Sequence, residues 1–348
     1  METKIVKIDP QHIDMEQIAG MGRLLAAGKL VAFPTETVYG LGANALDEGA
    51  VKRIYAAKGR PSDNPLIVHF ANAADIKTVV REIPEAALRL LEQFSPGPLT
   101  IILKKQPHLN DTVTAGLDSV AVRIPANPVA RALIAAAGVP VAAPSANLSG
   151  KPSPTRAAHV IADMDGRIDA IVDGGSCAVG VESTVLDMTG ARPAILRPGG
   201  VTYAQIKAVL PDVQIDAHVL QSVGAAETPK SPGMKYKHYA PDAEVIVVEG
   251  DIKKVRGKIE ELIKGVQQKR VGVLAMDGAS YPAADLVLSA GADNRDYANR
   301  LFDALREFDR RQIDLVFAEF SGDMDYGLAV KNRLYKAAGN HIIHVREK

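Results

Sequence analysis

Apolar positions in the first 210 residues follow two different spacings. Behind Asp14, the residues Ile18, Met21 and Leu25 recur at helical spacing, and Asp14 is placed to cap that helix. Further helices are predicted from about Asp47 to Lys58 and at 85–94 and 127–137. Short apolar runs predict strands at 30–33, 66–70, 99–103, 120–124, 139–143, 170–172, 183–188 and 194–196. No helix separates the last two strands, which favours an α/β or α+β domain with a twisted mixed sheet and flanking helices.

Periodicity fails from about residue 211 to residue 241 and then restarts. Residues 225–233 are rich in alanine, proline and glycine, which is typical of a linker. Beyond it, predicted strands at 244–248, 271–275, 285–288 and 315–319 alternate with helices at 252–264, 298–308 and 328–338. This alternation predicts a smaller Rossmann-like parallel α/β domain. We therefore expect a catalytic domain at 1–210, an interdomain arm at 211–241 and a C-terminal domain at 242–348.

Composition narrows the classes of protein that fit this pattern. A chain of 348 residues usually forms more than one hydrophobic core. Lys and Arg number 41, as do Asp and Glu, so no overall charge attracts the chain to nucleic acid or to an anionic membrane. The single cysteine, Cys177, excludes an internal disulfide. With no apolar run near the ~18 residues of a membrane span and no apolar leader, a cytoplasmic location is expected.

Cations stand at the ends of several predicted elements. Lys58 and Arg60 lie on a Gly-Pro loop before a buried strand, and Arg197 ends a later strand. Cations held in this way are typical of a site for phosphates or carboxylates. Arg123 lies inside an apolar strand and needs an anionic partner, either a structural carboxylate or that of a substrate. Both alternatives stay open on the sequence alone.

Other polar residues near these cations allow more than one interpretation. Glu36 could hold a cation, pair with an arginine or have no specific role, and His69 could be a core residue or face a site. The spacing of Gly40 and Gly42 fits a dinucleotide motif, but the glycines do not directly follow a strand. No P-loop, Ser-His-Asp order or zinc-ligand spacing is present. Positioning of anions in an open cleft is therefore the favoured interpretation.

Three segments, at 33–42, 58–69 and 144–150, recur in the order seen in one protein family. With them the chain resembles the YrdC-like family in its long two-domain form, the threonylcarbamoyl-AMP synthases, over nearly its whole length. The resemblance implies an enzyme that joins L-threonine, bicarbonate and ATP into threonylcarbamoyl-AMP and pyrophosphate. The product would pass to a tRNA threonylcarbamoyl transferase complex that modifies the adenosine beside the anticodon. A double-stranded RNA or tRNA binding module is the alternative function. Carbamoyl transfer in hydrogenase maturation is excluded, because proteins with that activity carry cysteine-rich zinc motifs and this chain has only Cys177.

The resemblance also assigns roles to particular residues. Threonine would be held by Thr37, His69, Arg123, Ala143 and Ser183. ATP would be held by Lys58, Arg60, Asn64, Ser119, Ser145, Asn147, Ser153, Arg197, Tyr236 and His238, with Lys58 and Arg60 as the catalytic pair. Mg²⁺ would accompany ATP through ligands that the sequence does not identify. The arm at 231–241 would fold over the cleft, and direct contact with tRNA would at most be weak.

Overall fold

The computed structural model describes residues 2–219, 231, 238–322 and 325–345. The chain forms two compact units, the first comprising Met1–Ser149 and Ser153–Lys235, the second Gly150–Pro152 and Tyr236–Lys348. The domain boundaries predicted at 210 and 241 stay predictions. Most of the predicted arm, including Tyr236, lies outside the described residues. In the described part of the chain, no helix is both long and apolar enough to cross a membrane.

The first unit is built on a sheet of eleven strands. The strands are β1 Lys4–Lys7, β2 Val31–Phe33, β3 Gly40–Asn44, β4 Ile67–His69, β5 Leu99–Lys104, β6 Ser119–Arg123, β7 Val141–Ala142, β8 Ala170–Asp173, β9 Thr184–Asp187, β10 Ala194–Arg197 and β11 Gln214–Ile215. The helices are α1 Met15–Ala26, α2 Glu48–Lys58, α3 Glu85–Phe94, α4 Asp111–Thr114, α5 Pro128–Ala137, α6 Ala157–Met164 and α7 Tyr203–Val209, with short 3₁₀ helices at Ala73–Thr78 and Ala217–Val219.

The sheet runs in the order β1-β8-β2-β3-β7-β4-β6-β5-β9-β10-β11. Strands β4 and β6 are parallel, whereas β5 and β6, and β4 and β7, are antiparallel. The mixed sheet predicted from the sequence is therefore confirmed. Alternate residues of the central strands face opposite ways, so Val68 and Val122 join the large helix-covered core while Ile67 and Ala121 join a small separate cluster. The second face of the sheet carries the candidate site.

The glycine-rich segment that follows Phe33 forms strand β3, which was not predicted from the sequence. Gly40 and Gly42 lie inside β3, which pairs with β2 and β7, and do not form a turn. A Cβ atom on Gly42 would lie 2.8 Å from the Phe33 ring and 2.9 Å from Val141. Close packing of the sheet, and not the approach of a phosphate, therefore explains the glycine spacing. A further difference is β11, which pairs with β10 inside the range predicted as the arm.

The second unit contains a smaller sheet of five strands, all parallel, as predicted. Its strands are β12 Glu244–Gly250, β13 Val271–Met276, β14 Leu286–Gly291, β15 Leu315–Phe320 and β16 Ile342–Val345, and its helices are α8 Ile252–Gly265, α9 Asn294–Arg310 and α10 Tyr326–Ala337. Tyr239 packs against Phe302 of α9 with ring centres 5.2 Å apart. Glu319, fully buried at the end of β15, accepts hydrogen bonds from the Met276 N–H and the Tyr281 hydroxyl. These contacts stabilise the second unit from within.

Candidate active site

Strand register brings three polar side chains together on the open face of the first sheet. His69 of β4 and Thr100 of β5 are both direct partners of Arg123 on β6. Because directly paired residues point to the same face of a sheet, the three side chains converge. The hydroxyl of Ser183 lies 2.8 Å from that of Thr100 and joins the group. The fold thus collects Arg123, His69 and Ser183, all assigned to threonine by resemblance.

Arg123 is 4% exposed and forms an ion pair that the sequence had left open. Its Nη2 donates to Oε1 of Glu36 at 2.7 Å, and its Nε donates to the Gly97 carbonyl at 3.3 Å. The other carboxylate oxygen of Glu36 accepts from the N–H of Ala126 at 3.0 Å. Arg123 therefore has a structural carboxylate as partner, one of the two sequence-based alternatives. Its Nη1 makes no hydrogen bond to the described residues, so donors for a second anion remain.

His69 is an uncharged member of this group. Burial, and then the nearby Arg123 charge, lower the pKa of the imidazole from 6.5 to about 3. Its Nδ1 lies 3.2 Å from the Ile67 carbonyl oxygen. The Phe33 and His69 rings form a T-shaped pair with ring centres 6.4 Å apart. A carbonyl oxygen can only accept, so Nδ1 carries the proton. His69 thus adds no charge to the cluster near neutral pH.

We expect a His69→Gln variant to lose less stability in acid than the native chain. The unfolded chain takes up a proton at His69 near pH 6.5, whereas the folded chain binds none until about pH 3. Stability from this group is therefore present above the unfolded pKa and is lost as the pH falls. Between about pH 7 and about pH 5 the variant should lose about 2 kcal/mol less unfolding free energy, measured by urea unfolding. Equal losses in both proteins would contradict a neutral His69.

Thr35 and Thr37 form the turn that carries Glu36. The Thr35 hydroxyl accepts from the N–H groups of Thr37 and Val38 and donates to the Val38 carbonyl at 2.6 Å. This agrees with the sequence interpretation that Thr35 caps backbone. The hydroxyls of the two threonines are 2.8 Å apart, and Thr37 is fully buried. The turn therefore fixes Glu36 and Thr37 by local hydrogen bonds.

The cation loop is held against the second polar segment. Lys58 is the last residue of α2, which ends because Gly59 takes the left-handed conformation with φ of 60°. The Lys58 ammonium donates to the carbonyls of Ser145, at 2.5 Å, and Asn147. The Ser149 N–H returns a bond of 2.9 Å to the Lys58 carbonyl. Two of the three motifs behind the family resemblance therefore meet in space.

Asn64, on the same loop, carries a fully buried amide. Its side chain is 0% exposed, and neither Nδ2 nor Oδ1 makes a hydrogen bond to the described residues. An unsatisfied buried polar group costs about 1–3 kcal/mol, so such a group usually serves a ligand. Its backbone carbonyl is fixed by the Tyr55 hydroxyl at 3.1 Å. Nearby, Arg60 lies over the Tyr55 ring at 5.6 Å and donates to the Pro65 carbonyl.

Arg197 contacts the residue that the resemblance assigns to the other substrate. Its guanidinium donates to the Ser183 carbonyl at 3.1 and 3.2 Å and to the Ser183 hydroxyl at 3.2 Å. Ser183 thus links the residues predicted to bind threonine to Arg197, which is predicted to bind ATP. Ser153 is buried and donates to the carboxylate of Glu182 at 2.5 Å. The sequence alone indicated no role for Thr100 or Glu182, although alternation along β5 places Thr100 on the same face of the sheet as Arg123.

The remaining predicted residues have more separate positions. Ser119 begins β6, at the opposite end of that strand from Arg123. The Ala143 N–H donates to the Ile67 carbonyl at 2.9 Å, which fixes the backbone there. His238 belongs to the second unit and contacts the Tyr239 ring. Among the described residues, no group of three or more His, Cys, Asp or Glu side chains could hold a metal ion.

The family model described as "Telomere recombination" (Sua5/YciO/YrdC) matches residues 23–199, and one described as "Threonylcarbamoyl-AMP synthase, C-terminal domain" matches residues 201–339. Fold and site therefore define a YrdC-like protein with an additional C-terminal domain. Threonylcarbamoyl-AMP synthase from Pyrococcus abyssi is 52% identical over 96% of this chain and 98% of that protein. The Bacillus subtilis enzyme of the same name is 50% identical over 94% of each. The chain belongs to the threonylcarbamoyl-AMP synthase family.

Solved structures agree with this placement. The crystal structure of P. abyssi Sua5 complexed with L-threonine has a TM-score of 0.95 to this chain at 50% identity. The aligned region covers 99% of this chain and 100% of the crystallised chain. The agreement extends over both units, so the family resemblance and the fold class inferred from the sequence are confirmed.

Proposed function

We propose that the chain is an L-threonylcarbamoyladenylate synthase, a nucleotidyltransferase that consumes L-threonine, bicarbonate and ATP and releases pyrophosphate. Membership of the synthase family supports the reaction. The observation that carries it is Arg123, a buried cation with uncommitted N–H groups beside Thr100, His69 and Ser183. Such a cation, lined by small polar side chains, suits the carboxylate of a small amino acid. The relatives support this function and not the RNA-binding alternative.

The reaction requires anions to meet. Bicarbonate takes up a proton and separates into carbon dioxide and water. The threonine amine captures the carbon dioxide as a carbamate, losing a proton, and a carbamate oxygen attacks the α-phosphorus of ATP. The bond from that phosphorus to the bridging oxygen breaks, and pyrophosphate leaves with the electron pair. Fixed cations lower the repulsion between carbamate and phosphates. We assign this role to Lys58, Arg60 and Arg197, which are buried and held by backbone carbonyls.

The two subsites divide the polar residues between them. Arg123 would take the threonine carboxylate, with Thr37, His69, Ser183 and the Ala143 backbone around the rest of that substrate. The Asn64 amide, which makes no hydrogen bond to any described residue, supports an ATP subsite on the cation loop. Ser119, Ser145, Asn147 and Ser153 complete this subsite in the proposal, and the roles of Tyr236 and His238 stay predictions.

Mg²⁺ fits this site as part of the substrate MgATP. Magnesium bound with a nucleotide is usually held by phosphate oxygens, water and one or two carboxylates, and needs no protein cage. The described residues offer no such cage. Near the assigned residues, the Glu182 carboxylate accepts from Ser153, and that of Glu36 is committed to Arg123 and Ala126. The ion would therefore compensate phosphate charge while the chain's own cations position the nucleotide.

The product of the proposed reaction would be used by a separate enzyme. The adenylate would pass to a tRNA threonylcarbamoyl transferase complex, because a mixed anhydride of this kind is an activated group donor. The balance of 41 basic and 41 acidic residues agrees with at most weak contact with tRNA. A cytoplasmic location stays a prediction from the sequence.

The proposed function predicts that pyrophosphate release depends on both small substrates. With MgATP present, omission of either L-threonine or bicarbonate should reduce the release to background, because no carbamate forms to attack the α-phosphorus. Coupled pyrophosphate detection measures this, and radiolabelled bicarbonate should appear in an adenylate only when L-threonine is present. ATP turnover that is unchanged without bicarbonate would overturn the carbamoylation mechanism.

A further inference from the structure

Glu36 has no role in the proposed reaction, yet it is the charged partner of the proposed threonine-binding arginine. The side chains of Arg123 and Glu36 are 4% and 11% exposed, so the ion pair is largely removed from water. Their positions are 87 residues apart in the sequence. A buried arginine without a counter-charge is strongly destabilising, so an empty site needs this carboxylate or another anion. His69 cannot supply it, because an imidazole is either neutral or positively charged.

The geometry of the pair leaves part of the guanidinium available. Glu36 uses Oε1 for Arg123 and Oε2 for the Ala126 N–H, so it binds the arginine through one oxygen and not as a bidentate pair. A guanidinium has five N–H donors. Nε–H is used by Gly97 and one N–H of Nη2 by Glu36. Toward the described residues, both N–H groups of Nη1 and one of Nη2 remain uncommitted.

Glu36 is itself fixed on three sides. Its carboxylate is held by the Ala126 N–H at 3.0 Å and its backbone carbonyl by the Val179 N–H at 2.7 Å. The turn through Thr35 holds its position in the chain. A carboxylate anchored in this way is poorly placed to leave when a second anion arrives. It acts as a fixed support against which the guanidinium keeps one orientation.

We propose that Glu36 is a positioning residue for the amino-acid substrate: it neutralises Arg123 in the empty site and aims its uncommitted N–H groups at the threonine carboxylate. The proposal rests on the proposed function, since it takes threonine as the ligand of Arg123. Binding then requires no exchange of one carboxylate for another. Glu36 contacts no reacting atom in this proposal, and it affects the reaction only through the orientation and charge of Arg123.

Steady-state kinetics of a Glu36→Gln variant test the proposal. The amide keeps the shape but loses the charge and one of two acceptor positions, so Arg123 is no longer held in one orientation. The Michaelis constant for threonine should rise about tenfold to hundredfold, whereas that for ATP should change less than about twofold. Glu48→Gln is the matched control, because Glu48 forms an exposed ion pair with Lys52 in the same unit.

A second variant, Glu36→Asp, tests the proposal if Glu36→Gln does not fold. Glu36→Asp keeps the buried charge but is one methylene shorter, so it cannot reach both Arg123 and Ala126, and it too should raise the Michaelis constant for threonine. Lower thermal stability with a normal constant for threonine in both variants would make Glu36 merely structural. Tighter threonine binding in Glu36→Gln would make it a competitor of the substrate; either result overturns the proposal. Failure of the proposed function would appear in the native chain, as pyrophosphate release that does not respond to threonine.

Discussion

An Arg123→Met variant is expected to bind L-threonine about 30- to 1,000-fold more weakly than the native chain while binding ATP nearly as well. The loss of a charge-assisted contact in a desolvated site costs on the order of 2–4 kcal/mol. Methionine fills much of the volume that the arginine occupies, so packing around β6 changes little. Isothermal titration with threonine, and separately with ATP, gives the two affinities. Normal threonine binding would show that Arg123 serves only to pair with Glu36.

Two further variants separate binding from folding at this position. Arg123→Met alone buries Glu36 without its cation, which costs several kcal/mol of unfolding free energy by the general behaviour of broken buried ion pairs. The double variant Glu36→Gln/Arg123→Met removes both charges and should recover most of that stability without recovering threonine binding. Arg131→Met replaces an exposed arginine of α5 and controls for the change in net charge. It should bind both substrates normally.

A Lys58→Met variant is expected to lower kcat/KM for ATP by about 100- to 1,000-fold, the usual effect of removing one preorganised charge from a reacting centre. Lys58 supplies positive charge at the end of α2 and also holds the carbonyls of Ser145 and Asn147. Both contributions disappear together, so the phosphates lose a cation and the loop after β7 loses its anchor. Pyrophosphate release over a range of ATP concentrations measures the effect.

Lys52→Met is the matched control for this variant. Lys52 lies on the same helix, is 65% exposed and forms an ion pair with Glu48 on the surface. Its replacement changes the net charge of α2 equally but should leave kcat/KM for ATP within about twofold, since exposed ion pairs contribute little. If Lys52→Met and Lys58→Met lowered the rate to the same degree, the effect would come from the charge of the helix as a whole. The assignment of Lys58 as a catalytic residue would then be wrong.

Much of the local structure could be read directly from the chain. The helix predicted at 85–94 has those bounds in the structure, and Asp14 caps α1 as predicted. The alternation after residue 241 predicted the parallel sheet of the second unit, because apolar runs separated by helical segments allow few other arrangements. Capping residues and hydrophobic spacing are properties of a few neighbouring residues. Distant contacts are not needed to recognise them.

Besides β11, three strands could not be predicted from the sequence because tertiary contacts form them. Strand β1 pairs with β8, more than 160 residues away, and most of its residues are exposed. Strand β3 has the composition of a loop, and only its packing against Phe33 and Val141 explains why glycine occupies it. Strand β16 is an edge strand with half-buried residues and no strong alternation. In each, the pairing energy comes from a distant partner, which local propensity does not report.

The candidate site divides in the same way. The sequence by itself determined which residue types are present: cations at the ends of elements, an arginine inside an apolar strand, and motifs in the order of one family. The tertiary structure alone decided that Arg123 pairs with Glu36, that Thr100 links it to Ser183, and that Lys58 holds the segment after β7. Strand register and loop geometry decide which side chains meet. A charged residue in an apolar segment indicates that a partner is needed, but it does not indicate where in the chain that partner lies.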